Sequence, residues 1–139
     1  MSSSDMSVEL PRSLVNQLLQ HAQQTEAKEV CGFISSQRGN PAQVYPVTNI
    51  ALTPECRFAM NPEDQINALR QMRERNEELF AIYHSHPSSP AVPSIIDLKE
   101  AGYPEALYLI ISLDTKGVLE MRGYRINGHD AEEVQLKLE

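Results

Sequence analysis

The chain has 139 residues, of which 41% are hydrophobic and 22% charged, the balance of an ordinary globular protein with room for one sizeable core. Its net charge of −7 and pI near 5.1 argue against nucleic acid or an anionic membrane as the main partner. Two cysteines, Cys31 and Cys56, both in contexts that read as buried, do not make a disulfide framework; with no signal peptide they suit a reducing cytoplasm. The longest apolar run, Ala106–Leu113, is too short to span a bilayer.

In chain order, residues 1–8 read as a disordered N-terminal tail and residues 9–139 as one domain. Pro11 suits a first helical position, and Leu14, Val15, Leu18, Leu19 and Ala22 form one apolar stripe of a helix to about Thr25. That register leaves His21 on the solvated side. Val30–Ile34 reads as a buried strand with Glu29 at its beginning, and Arg38–Pro41 carries turn chemistry before a returning strand through Val44. Phe58–Met60 reads as another short strand. Asn61 caps a helix with Pro62 in its first turn, running to about Glu77 with Arg70, Arg73 and Arg75 on a solvated face.

Leu79–Tyr83 is an apolar strand that delivers His84 and His86. Ser94 opens a short helix to about Ala101, and Leu107–Leu113 has the continuous apolarity of a central strand. Asp114–Gly117 turns the chain into Val118–Ile126, and Val134–Leu138 reads as a last edge strand, after His129 in a solvated turn. Helices interleaved with strands and hairpins predict an α/β fold, a mixed sheet covered by helices.

The chemistry concentrates at Tyr83-His84-Ser85-His86-Pro87 and Ser94-Ile95-Ile96-Asp97. Side chains alternate along a strand, so His84 and His86 share a face with Cα atoms roughly 6.5–7 Å apart, within reach of one zinc ion. A structural role is the plain alternative for a core histidine. Asp97 has one too, because Ser94 and Asp97 match a capping box. As a third ligand, Asp97 would leave a fourth position for water, the catalytic arrangement. Glu29 alone is an unremarkable acid, although a zinc hydrolase needs such a proton carrier.

Together, Glu29, His84-Ser85-His86-Pro87, the seven residues Pro87–Pro93, and Ser94-Ile95-Ile96-Asp97 resemble the signature of the JAMM (MPN+) metalloproteases, especially their short prokaryotic members, over about Leu10 to Ile126. The resemblance implies a single three-layer-like domain, a curved mixed sheet flanked by helices and similar to cytidine deaminase. It implies one Zn2+ per chain on His84, His86 and Asp97, Glu29 as general acid/base toward a metal-activated water, and Ser94 as oxyanion donor. The implied reaction is hydrolysis of a peptide or isopeptide bond after the Gly-Gly tail of a ubiquitin-like or sulfur-carrier protein. Ala81-Ile82 departs from the glycine-tryptophan often found before the tyrosine in eukaryotic members. The deaminase signatures H-x-E and P-C-x-x-C are absent, so kinship in fold does not carry that chemistry. A non-catalytic interaction scaffold and a cysteine hydrolase pairing Cys31 with His84 are the rival readings, and a homodimer is left open.

Overall fold

The computed structural model describes residues 7–114, 120–128 and 130–139. His129 and most of the turn after Asp114 lie outside the described residues. The described elements run β1 (Ser7–Leu10), α1 (Arg12–Gln24), β2 (Cys31–Gln37), β3 (Asn40–Val47), α2 (Pro62–Glu74), β4 (Glu78–His86), α3 (Ile95–Glu100), β5 (Leu107–Ser112), β6 (Glu120–Asn127) and β7 (Asp130–Leu138). They form one seven-stranded sheet in the order β1-β7-β6-β5-β4-β2-β3.

The sheet is mixed. β4 pairs parallel to β5 across the α3 crossover and antiparallel to β2, while β1 pairs parallel to β7. β2 shifts register against both neighbours between Ile34 and Ser36, a bulge that curves the sheet. The β2–β3 hairpin closes through Arg38 and Gly39, both at positive φ (54° and 84°), as a tight two-residue loop requires.

Side-chain alternation on the central strands divides the core in two. Ile34, Ala81, Tyr83, Leu107, Leu109 and Ile111 face α1, meeting Leu14, Val15, Leu18 and Ala22. Phe33, Ile82, Tyr108 and Ile110 face Ala68 and Met72 of α2, with Leu98 of α3 packed alongside. The result is a three-layer α/β domain with a curved mixed sheet between helices, as expected.

Several local expectations are corrected. β1 begins at Ser7, so Ser7 and Val8 belong to a strand rather than to the tail. Its parallel pairing makes β1 the edge and moves β7 inward. Phe58–Met60 is not a strand but a loop with a single bridge between Asn49 and Met60. Asn76 at φ 59° breaks the helical path, so α2 stops at Glu74. Arg75 lies 5.8 Å over the Tyr45 ring and donates to its hydroxyl instead of standing free. Cys56 is exposed, and only Cys31 is buried. His21 is partly buried, its Nδ1 2.7 Å from the Tyr83 hydroxyl, because α1 rolls that side toward the sheet.

Candidate metal centre

β4 ends at His86, so its last turn of alternation sends His84 and His86 to the α2/α3 face while Tyr83 and Ser85 face α1. Both imidazoles are buried, at 1% and 3% exposure. Their Nε2 atoms are 3.1 Å apart. Asp97 Oδ2 lies 3.2 Å from each.

Asp97 arrives by the cap that its sequence suggested. Ser94 is the N-cap of α3, its Oγ accepting the Asp97 N–H at 3.0 Å, and Asp97 Oδ2 accepts the Ser94 N–H at 2.9 Å. The capping and ligand readings are therefore not rivals; the same oxygen that closes the cap faces the two histidines. Because Ser94 Oγ accepts in the cap, its own proton is available to another acceptor.

The loop between the histidines and α3 is pinned from the sheet. Ser112 Oγ donates to the Ser89 carbonyl and the Tyr124 hydroxyl to the Ala91 carbonyl, both at 2.7 Å. Between them, the Pro90 carbonyl lies 2.8 Å from His86 Nδ1. A carbonyl only accepts, so Nδ1 carries a proton there, and in neutral His86 the Nε2 lone pair points inward. On the other side, Phe58 stacks on His84 at 4.5 Å and 27°.

Three electron-pair donors facing one another at 3.1–3.2 Å repel unless a positive charge lies among them. Ligand atoms on bonds of about 2.0–2.1 Å are roughly 3.3 Å apart around a tetrahedral ion, close to this triangle. The donor set, two imidazole nitrogens and a carboxylate oxygen, thus fits zinc. In the absence of metal, a proton serves: burial works against charge on His86, but Asp97, the Pro90 carbonyl and Glu29 outweigh it and raise its pKa. Burial lowers that of His84. Asp97, although burial opposes its charge, is held well below the usual carboxylate range by both histidines and the Ser94 N–H.

Glu29 precedes β2 and is 4% exposed. Its carboxylate, His84 and His86 offer atoms all within 4.8 Å of one another, a second donor set sharing the histidine pair. Asp97, at 3.2 Å from both, is the tighter third member. Burial, with His86 opposing and Asp97 adding to it, pushes the Glu29 pKa up to about 7. Its Oε1 and His84 Nδ1 are the buried side-chain atoms without a partner among the described residues.

All five predicted residues come together. Cys31 lies opposite His84 in the sheet, yet it is fully buried, its Sγ is 3.4 Å from the Val47 carbonyl, and burial with nearby Glu29 pushes the thiol to about 12. Such a thiol is a poor nucleophile. Sequence reasoning missed the Pro90 carbonyl and Phe58; the proline-broken loop and the aromatic beside Arg57 were their only signals. A pocket of about 180 Å³ opens beside His84 and Asp97 between Phe58–Met60 and the stretch from Ile96 to Tyr103.

Comparison with known proteins agrees with this fold. Residues 11–126 match the family described as prokaryotic homologs of the JAB domain, and the chain belongs to that family. It is 33% identical over 115 residues to the CysO-cysteine peptidase of Mycobacterium tuberculosis, covering 81% of this chain and 78% of that protein. It is 30% identical to the desampylase of Haloferax volcanii over the full length of both. A Desulfitobacterium hafniense protein solved in solution superposes with a TM-score of 0.85 at 30% identity, over 96% of this chain and 93% of that one. A JAB1/MPN domain protein from Archaeoglobus fulgidus shares the fold at a TM-score of 0.60 and 18% identity, over 95% and 96%.

Proposed function

We propose that the chain from β1 onward, residues 7–139, forms a zinc metalloprotease domain that hydrolyses the peptide or isopeptide bond following the Gly-Gly tail of a ubiquitin-like or sulfur-carrier protein. The observation that carries this reading is the triangle of His84 Nε2, His86 Nε2 and Asp97 Oδ2 with the unpartnered Glu29 carboxylate beside it. The peptidase and desampylase names of its relatives favour the same substrate class.

His84, His86 and Asp97 would hold one zinc ion per chain. When bound, the metal supplies Lewis acidity to the scissile carbonyl and lowers the pKa of a coordinated water to about 7. Glu29 takes a proton from the attacking water and later gives it to the leaving nitrogen, and the burial that raises its pKa helps it hold that proton between the two transfers. Ser94 donates its hydroxyl proton to the developing oxyanion. The Pro90 carbonyl and Phe58 keep the two imidazoles from rotating. The carbon–nitrogen bond breaks, leaving a carboxylate on the carrier tail and a free amine on the leaving group. The groove walled by Phe58, Met60, Ile96 and Tyr103 would receive the extended tail. We assign the reaction to the cytoplasm, where Cys31 and Cys56 remain thiols.

The test is a sulfur-carrier protein whose Gly-Gly terminus is extended by one cysteine, incubated with the zinc-loaded enzyme. Cleavage after the second glycine, lost on chelation and restored by zinc, is expected. Zinc binding without turnover of this fusion or of a lysine isopeptide would instead identify an interaction scaffold.

A further inference from the structure

Glu29 presents an unusual problem of placement. Its Oε1 is buried without a partner, so at its carboxylate end that oxygen is not anchored within the described residues. Its position against His84 and His86 therefore depends on how its backbone is held. That backbone stands two residues before β2, outside the ladder.

The Glu29 N–H donates to the Pro54 carbonyl at 2.7 Å, and its carbonyl accepts from Asn49 Nδ2 at 2.9 Å. The next residue turns to the sheet instead: the Val30 N–H donates to Ser85 Oγ at 2.9 Å and its carbonyl accepts the Ser85 N–H at 3.0 Å. Glu29 thus hangs from the 49–60 loop, while Val30 is fixed to β4.

At the base of that loop a single side-chain amide makes four hydrogen bonds. Asn49 Nδ2 also donates to the Arg57 carbonyl at 3.1 Å, and Oδ1 accepts the N–H groups of Ala51 and Ala59 at 3.0 and 2.9 Å. Two donors and two lone pairs are all used. The loop base is already closed by backbone bonds from Ile50 to Ala59 and from Asn61 to Thr48, at 2.8 and 2.9 Å. The donor half of the amide is thus free to tie Glu29 to Arg57, the neighbour of Phe58 on the His84 ring. We infer that Asn49 is a positioning residue that sets the Glu29 carboxylate against the histidine pair. The inference rests on the reading of Glu29 as the proton carrier.

Two substitutions test it. N49D keeps the oxygen that accepts the two loop N–H groups but turns the donor into an acceptor facing two carbonyls; N49A removes both halves. On the extended sulfur-carrier fusion, N49D is expected to lower kcat by about 10- to 100-fold, the effect of a misplaced catalytic group, with KM and one zinc per chain unchanged. Amide hydrogen exchange on the metal-free protein should quicken at Glu29 in N49D, with β4 and β5 unaffected. Unchanged kcat together with unchanged exchange at Glu29 would overturn the inference. So would parallel loss of zinc, KM and thermal stability, which marks a merely structural residue. Should N49A not fold, N49D decides. An inactive wild type would refute the protease reading alone, because the exchange measurement still judges the placement of Glu29.

Discussion

The two faces of β4 are built from the same strand and differ in how polar groups are treated. Toward α1, the buried hydroxyls of β4 are partnered: that of Tyr83 is matched with His21 at 2.7 Å and that of Ser85 accepts the Val30 N–H at 2.9 Å, beside an apolar layer of Leu14, Leu18, Leu107 and Leu109. Burial raises the Tyr83 pKa and lowers that of His21, so the pair is neutral and closed. Toward α3, His84, His86, Asp97 and Glu29 crowd together and leave Glu29 Oε1 and His84 Nδ1 without partners. A stable core satisfies its buried polar groups; a face that leaves them unsatisfied is arranged for something that arrives. The contrast separates stability from chemistry along one strand.

Substitutions on the α3 face should cost activity, and those on the α1 face stability. The largest effect is expected for Glu29→Gln, which should lower kcat by roughly 10³-fold or more while one zinc per chain remains by metal analysis. Activity in that variant near the wild-type level would remove Glu29 from the chemistry. His84→Ala or His86→Ala should abolish zinc binding, read by titration with the metal, yet leave the circular dichroism of the fold in place.

On the opposite face, Gly32→Ala should destabilise by about 1–3 kcal/mol with zinc stoichiometry intact. A Cβ there would lie 2.6 Å from both the Tyr83 ring and the Tyr45 carbonyl, and the backbone atom cannot yield as a side-chain tip would. Urea denaturation of the chelated protein measures it.

The pH response sharpens the comparison further. Glu29 ionises at about 7 in the fold against an ordinary 4.5, so the folded state binds its proton more tightly. Its contribution to the stability of the zinc-free protein is complete below about pH 4.5 and is lost as pH rises through 7. Asp97 has the opposite sign, its contribution present above the ordinary 3.8 and lost in stronger acid. Zinc-free Glu29→Gln should therefore exceed the parent by about 3 kcal/mol at pH 8 and match it at pH 4 in thermal melts. In the loaded enzyme the cation beside Glu29 favours its carboxylate, so the acid limb of kcat/KM should lie below the metal-free value of about 7. The smallest effect is Tyr83→Phe, about 1 kcal/mol of stability for one hydrogen bond, with turnover unaltered.

Much of this was legible in the chain. Strand period two puts His84 and His86 on one face whatever surrounds them, and Ser-x-x-Asp describes a helix start by local hydrogen bonding alone. Apolar periodicity marks α1, β4 and β5 because each contributes to a core that must exclude water. Glu29 is different: as a residue it is an ordinary acid, and only the resemblance singled it out. Tertiary structure decided the rest. β1 is too short to declare itself and exists by pairing with β7, which is why β7 is not an edge. The raised pKa of Glu29 comes from burial, and its placement from the Asn49 amide and the Pro54 carbonyl, groups brought together across 20 or more residues. Local pattern determines which way a side chain leaves the backbone; only packing determines which carbonyl, ring or charge it meets there.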